Sequence, residues 1–428
     1  MAGAIPPDPK DSQKFLSRRS FLIGATVTTS ATALTACGSE RSGESGLAEV
    51  NVEEGGAFLA KQVVPFDGKH QAGVATPGQA LLNMVAFNLR AGTDLVAVRR
   101  LMTLWTEDAR RLTRGQNPVG SLEPELAESA ANLTITCGFG PRFFDIIDKK
   151  DARPDWLRPL PEFSSDKLED QWGQSDIALQ ICCDDPVTLA FATRHMIRSG
   201  AAYVETLWLQ QGFLNAVGAT EKGATPRNLF GQKDGTVNPA SDSEYEDYVW
   251  INGDSDSPQW LVGGTAMVVR RINMNLDDWE KLDRTSREVA MGRFLDSGAP
   301  LSGTDEFEPA DFDATDEVGL PIIDPRSHMA LAAPPLDIPN QRIRRRAYNF
   351  SQPPVPGSEQ TSNTGLVFVC FQQNPLQQFV PIQQRLNDSD RMNEWITHIG
   401  SAVYAVPPGT ADGGEDGDRF WGAALLQS

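Results

Sequence analysis

Asp234 stands in the stretch Gly231-Gln232-Lys233-Asp234-Gly235-Thr236-Val237-Asn238-Pro239, one acid between two glycines. The glycines allow a sharp turn, and the closing Asn-Pro keeps the stretch from running on as helix or central strand, so the carboxylate is presented on a loop. An acid so placed can cap its own turn, the commoner use of Asp-Gly, or carry protons to and from a bound molecule. His328 lies in Asp324-Pro325-Arg326-Ser327-His328-Met329-Ala330-Leu331-Ala332-Ala333-Pro334, between prolines and beside apolar side chains. A neutral imidazole presented from such a segment can ligate a haem iron, or can simply pack. Arg345 lies within Ile343-Arg344-Arg345-Arg346-Ala347-Tyr348. That run reads either as a solvated strand edge or as fixed positive charge for an anionic ligand or a developing oxyanion. The other histidines, His70, His195 and His398, fall in a glycine-rich loop, within a helix, and between a helix and a strand, where structural roles are expected.

Elements must carry these groups. Residues 79–89 read as a strand, and Thr93-Asp94 opens a helix with Leu95, Val98, Met102, Trp105, Ala109 and Leu112 on one face. Strand alternation follows at Leu133, Ile135 and Cys137, then a short helix led by Pro141. A strand at 177–183, a helix from Pro186 to about Ser199 and a strand at 204–210 complete the order βαββαβ, that of a ferredoxin-like antiparallel sheet with helices on one face. The second half repeats the theme, giving an α+β fold of duplicated ferredoxin-like halves: a strand at 264–274, a helix at 277–292, a strand at 365–371, mostly helix at 376–399 and a strand at 401–406. Between them lies an insertion, roughly residues 296–363, rich in Pro, Gly and Asp, and loops that long are usually functional. The expected organisation is 57–235 for the first half and 236–428 for the second.

The 428 residues carry Lys+Arg 38 against Asp+Glu 57, a net charge of −19, which argues against nucleic acid and against adhesion to anionic lipid. Residues 1–37 read as an address. Ser17-Arg18-Arg19-Ser20-Phe21-Leu22 is a twin-arginine pattern followed by a mildly apolar, Thr- and Ala-rich run, too weak for a membrane span of about 20 strongly apolar residues. Leu34-Thr35-Ala36-Cys37-Gly38 has the form of a bacterial lipobox, so Cys37 is the candidate lipidation site. Residues 38–56, rich in Gly, Ser and Glu, suit a flexible tether. Cys137, Cys182, Cys183 and Cys370 lie in apolar runs without CxxC spacing, which favours buried free thiols, with one bridge left open.

Together these pieces resemble the dye-decolourising-type (DyP) haem peroxidases, in particular the exported branch associated with bacterial iron uptake. The signature GxxDG is met by Gly231, Asp234 and Gly235. Phe66 to Gly73, Cys137-Gly138-Phe139-Gly140-Pro141, Trp260-Leu261-Val262-Gly263-Gly264-Thr265 and Gly365-Leu366-Val367-Phe368-Val369-Cys370-Phe371-Gln372 also look like the family, so the resemblance runs from about residue 60 to the C-terminus.

The resemblance implies one haem b per chain, held mainly by the second half. His328 would be the proximal iron ligand, Asp234 the distal acid-base residue and Arg345 the distal arginine. Leu366 and Phe368 would line the distal pocket, with Gly235 and Thr236 near the cofactor. Gln232 and Ala266 replace residues that are often aromatic in the family. Met329 to Pro335 lacks the two arginines that commonly follow the proximal histidine, so contacts to the propionates fall to Arg326, Arg342 or Arg344. A carboxylate should stand behind His328, with Asp313, Asp316, Glu317 and Asp324 the nearby candidates.

The expected activity is reduction of hydrogen peroxide coupled to oxidation of an unidentified reductant, best in mildly acid solution if a carboxylate shuttles the proton. Two other classes stay open: iron release from haem with the porphyrin intact, and a non-catalytic haem carrier. Components of an iron-uptake system in the membrane are candidate partners, and relatives often assemble, which allows a homo-oligomer.

Overall fold

Strands carry the framework: β1 (Leu81–Leu89), β2 (Thr134–Phe139), β3 (Ile177–Cys183), β4 (Val204–Phe213), β5 (Thr265–Met274), β6 (Arg344–Arg345), β7 (Tyr348–Gln352), β8 (Asn363–Gln372) and β9 (Ile396–Val406). The helices are α1 (Leu95–Thr113), α2 (Pro141–Ile146), α3 (Pro186–Gly200), α4 (Asp242–Tyr248), α5 (Leu276–Trp279), α6 (Arg284–Met291), α7 (His328–Ala332), α8 (Phe379–Ser389) and α9 (Ala423–Gln427). This computed structural model describes residues 58–412 and 419–427. The twin-arginine stretch, Cys37 and the tether at 38–56 lie outside the described residues.

In the first half the spatial order is β4-β1-β3-β2, every neighbour antiparallel, which is the ferredoxin-like order. In the second it is β9-β5-β8-β7, again antiparallel, with short β6 also paired to β8. The two sheets join at both edges through one residue pair each, Phe139 with Ala405 and Phe213 with Asn349, closing the strands into a ring. Strands buried on both faces are largely apolar, as β1 and β3 are apart from Asn83, Asn88 and Gln180. Asp94 caps α1 by accepting from the Ala97 N–H at 2.8 Å. Val98, Met102, Trp105, Ala109 and Leu112 form its buried face, as their spacing predicts. Cys137, Cys182, Cys183 and Cys370 are buried free thiols.

Three readings of the second half change. The helix expected at 277–292 is two, because Asp283 caps a new start at α6 by accepting from the Ser286 N–H at 2.9 Å. The helix expected at 376–399 ends at Ser389, where Asp390 takes an extended conformation (ψ 128°) and the chain turns into β9 at Ile396. The insertion at 296–363 contains β6 and β7, and β7 supplies the strand missing from the second ferredoxin-like half. Its aromatic alternation, Tyr348 and Phe350 both buried, was hidden behind the arginine run.

Period-two alternation then sorts β5 and β8 by face. Met267, Val269, Val367, Val369 and Phe371 enter one buried cluster, whereas Ile272, Met274 and Leu366 enter another with Phe230, Trp279, Ala290 and Met392, against which Phe368 packs.

Candidate active site

The turn that presents Asp234 is fixed from several sides. Gly231 and Gly235 have φ of +84° and +127°, conformations that glycine adopts without penalty. Arg227 and Lys233 pair as an antiparallel bridge, and the Asp234 N–H donates to the Pro226 carbonyl at 2.8 Å. Asn238, four residues on, reads the backbone of β6 like a strand partner: its Oδ1 accepts from the Arg345 N–H at 2.8 Å and its Nδ2 donates to the Arg345 carbonyl at 3.0 Å. The loop and the strand are thereby held in register, and Arg345 Nη1 donates to Asp234 Oδ1 at 2.7 Å. Both side chains keep some exposure, 27 % for Arg345 and 15 % for Asp234.

His328 opens α7, whose N-terminus is capped by buried Ser327. Its Nδ1–H donates to Asp390 Oδ2 at 2.7 Å, which leaves Nε2 with no hydrogen-bond partner among the described residues. Burial works against a charged imidazole here, but the charge and the hydrogen bond of Asp390 outweigh it and hold the His328 pKa above its ordinary value. Arg345 pulls that pKa down and Asp234 pulls it up, so the charges of both reach the imidazole. The charges of these residues thus act on one another although they come from three separate segments.

A haem fits these residues. An imidazole with one nitrogen committed to a buried carboxylate offers the lone pair of the other to a metal, and the carboxylate makes it a stronger donor. The side chain is 30 % exposed. Leu366 and Phe368 share one face of β8, packed with Phe230, Ala290 and Met392, and an acid paired with a guanidinium lies within charge range of the imidazole. Such a set suits cleavage of a peroxide at a haem iron, where protons must move and charge must be stabilised.

The comparisons agree: the family described as Dyp-type peroxidase, N-terminal, matches residues 71–214, and Dyp-type peroxidase, C-terminal, matches residues 225–411, so the chain belongs to the Dyp-type peroxidases and is a haem peroxidase. Among its relatives is a dye-decolorizing peroxidase of Thermobifida fusca, 35 % identical over 94 % of this chain and 96 % of that protein. A deferrochelatase of Escherichia coli is 32 % identical over 85 % of this chain and 87 % of its own length. The crystal structure of a DyP-type peroxidase from Cellulomonas bogoriensis superposes with a TM-score of 0.82 at 41 % identity, covering 87 % of this chain and 100 % of that one.

The remaining expected site residues are placed unevenly. Leu366 and Phe368 share the face described above. Thr236 donates its hydroxyl to Glu306 at 3.0 Å. Arg342 is committed to Glu244 at 3.0 Å and stacks over Tyr248. Exposed Arg326 donates to the Ser389 carbonyl at 3.0 Å, and Arg344 donates to the Arg345 carbonyl at 2.8 Å while its Nε has no partner.

The carboxylate behind His328 is none of the four expected. Asp316 accepts from the Val318 and Leu320 N–H groups of its own turn, Asp324 pairs with Arg391, and Asp313 and Glu317 are exposed. Asp390 takes the place from beyond α8, and no spacing in the sequence announces it. Asn238 did carry a signal, the Asn-Pro that closes the turn, but its grip on Arg345 needs the fold. Arg385 on α8 was also missed: it donates to the Leu331 carbonyl at 2.8 Å and the Ala333 carbonyl at 3.2 Å, satisfying the C-terminal end of α7.

The other histidines are structural. His195 donates to buried Asp108 at 2.8 Å, His70 stacks on Trp250 at 3.9 Å, and His398 is buried on β9 near Arg270 and Asp166.

Proposed function

We propose that this peroxidase works with His328 as the protein ligand of the iron, Asp234 as the proton carrier and Arg345 as the stabiliser of developing charge. The observation that carries the proposal is the pair of 2.7 Å contacts, Asp390 behind the His328 imidazole and Arg345 on Asp234. Haem, when bound, supplies the redox-active iron at which the O–O bond is broken. Arg345 occupies Asp234 Oδ1, which leaves Oδ2 to take the proton from the inner oxygen of hydrogen peroxide and pass it to the outer one, which leaves as water. The rest of the Arg345 guanidinium faces the oxygen that gathers charge. Asp390 fixes the ring through Nδ1 and makes the His328 Nε2 lone pair more electron-donating. Leu366 and Phe368 limit water at the site, and a reductant then returns the two electrons one at a time. Arg326 and Arg344 are the arginines we assign to the propionates, since Arg342 is spent on Glu244.

Rapid mixing with hydrogen peroxide tests this. Asp234→Asn and Arg345→Leu should each slow the reaction by about 10²- to 10⁴-fold, whereas wild-type rates in both would leave a haem carrier. A second reading is iron release in iron uptake, supported by the likeness to deferrochelatases. Recovery of metal-free porphyrin after incubation with haem would favour it.

The twin-arginine stretch and Cys37 support an exported, lipid-anchored protein outside the cytoplasmic membrane, with 38–56 as tether and the halves meeting near residue 235. Partners in iron uptake and self-assembly rest on the family resemblance.

A further inference from the structure

We infer that Glu306 is a positioning residue for the proton carrier, keeping Lys233 away from Asp234 so that Arg345 alone pairs with it. The inference rests on the reading of Asp234 given above. Glu306 lies in the long segment between α6 and α7 and is buried. Its Oε2 accepts from Lys233 Nζ, the residue just before Asp234, and its Oε1 accepts from the Thr236 hydroxyl at 3.0 Å, two residues after. One carboxylate thus grips the loop on both sides of the acid.

The grip is itself braced. The Glu306 carbonyl accepts from Arg293 Nη1 at 3.0 Å, and the same nitrogen donates to the Gly298 carbonyl at 2.7 Å. A Cβ on Gly298 would stand 2.6 Å from Lys233 Cδ, and its φ is +78°, so glycine there lets the lysine stem lie across the chain on its way to Glu306. Burial raises the Glu306 pKa, but its bonds to Lys233, Thr225 and Thr236 more than offset this and place it below the usual glutamate value, so the carboxylate is charged.

The consequence is electrostatic as well as mechanical. Lys233 has a side-chain exposure of only 20 % and is the nearest neighbour in sequence of Asp234. Without an ionised partner, its ammonium would turn to the next carboxylate available, Asp234, and compete with Arg345. The charged groups around this loop are then Arg345 from β6, Lys233 within it, Arg227 paired through its backbone with Lys233, Arg293 and Glu306 from the segment between α6 and α7, and His328 from α7.

The test combines kinetics of the haem-loaded protein with hydrogen exchange of the haem-free protein. Glu306→Gln keeps an acceptor for Thr236 but loses the charge that holds Lys233, and should slow the reaction with hydrogen peroxide by about tenfold. Adding Lys233→Met should restore the rate to within about threefold, because the competing ammonium is gone. In the haem-free protein, amides of residues 231–238 should exchange faster in Glu306→Ala than in wild type, while β1 and β3 stay protected. A structural role alone would give a loss that follows the melting temperature and is not relieved by Lys233→Met, and that result overturns the inference. So does a wild-type rate in Glu306→Gln. Asp234→Asn measured alongside separates the two ideas: if it is slow while Glu306→Gln is fast, only the role of Glu306 fails, and if both are fast the reading of Asp234 fails. Should Glu306→Gln fold poorly, Glu306→Asp keeps the charge with a shorter reach and should fall between wild type and Glu306→Ala in exchange.

Discussion

Asp390 accepts the Nδ1 proton of His328 from a position 62 residues along the chain. With an amide in its place the ring could still be oriented, but the negative charge that raises its basicity would be gone. Asp390→Asn should therefore bind haem about 10- to 100-fold more weakly, measured as faster haem transfer to an acceptor apoprotein. His398 makes the opposite case, a histidine kept neutral by its surroundings. Burial, then the charges of Arg270 and His328, lower its pKa from the ordinary value of 6.5 to about 3. Between those values the unfolded chain binds a proton that the folded protein refuses, so the stabilisation is complete above pH 6.5 and is lost as pH falls toward 3. The slope from this one group approaches about 1.4 kcal/mol per pH unit. Denaturant unfolding from pH 7 to 4.5 should show that slope in wild type and a shallower one in His398→Gln. At this scale the sequence singled out Asp234, His328 and Arg345 as candidates through the family resemblance, and the structure brings Asp234 and Arg345 into contact at 2.7 Å. The sequence could not disclose Asp390 or Glu306, since carboxylates are common in this acidic chain and only the fold selects among them.

Helix α7 is five residues long, far shorter than a helix that stands alone in water. It is held by Ser327 at its start and by Arg385 on the Leu331 and Ala333 carbonyls at its end. Arg385→Met should loosen α7, which carries the proposed ligand His328, without touching the proton chemistry. Its expected signature is faster haem loss with the peroxide rate of the loaded protein within about threefold of wild type, since a hydrogen bond to a charged group contributes about 1.5–3 kcal/mol. Helices and strands with a clear period, α1, α3, β1 and β3, were legible with small errors at their ends. The errors collect where a capping side chain overrides periodicity, as Asp283 and Asp390 do, or where the apolar alternation is short, as in β7. The arginine run is the instructive instance: what looks like a charged edge divides its side chains. Arg345 turns to Asp234, while Arg346 is buried and donates to Tyr348 Oη at 2.7 Å.

Across the whole molecule, the duplication was legible because the first half announces βαββαβ clearly and the second repeats it in every element but β7. The closure of both sheets into one ring was not, because it depends on two single residue pairs between distant strands. β6 pairs with β8, and Asn238 ties the loop at 231–239 to β6. The net charge of −19 fits a protein that meets small molecules and not nucleic acid. The proposed address is testable at this scale: changing Arg18 and Arg19 to lysine should retain the protein inside the cell, and Cys37→Ala should release it from the membrane fraction, both read by cell fractionation.

The account stands most directly on the absorption spectrum of the purified ferric protein beside that of His328→Ala. It predicts an intense Soret band in wild type that is lost or displaced in the variant. An identical spectrum in the two proteins would contradict the assignment of His328 as the iron ligand.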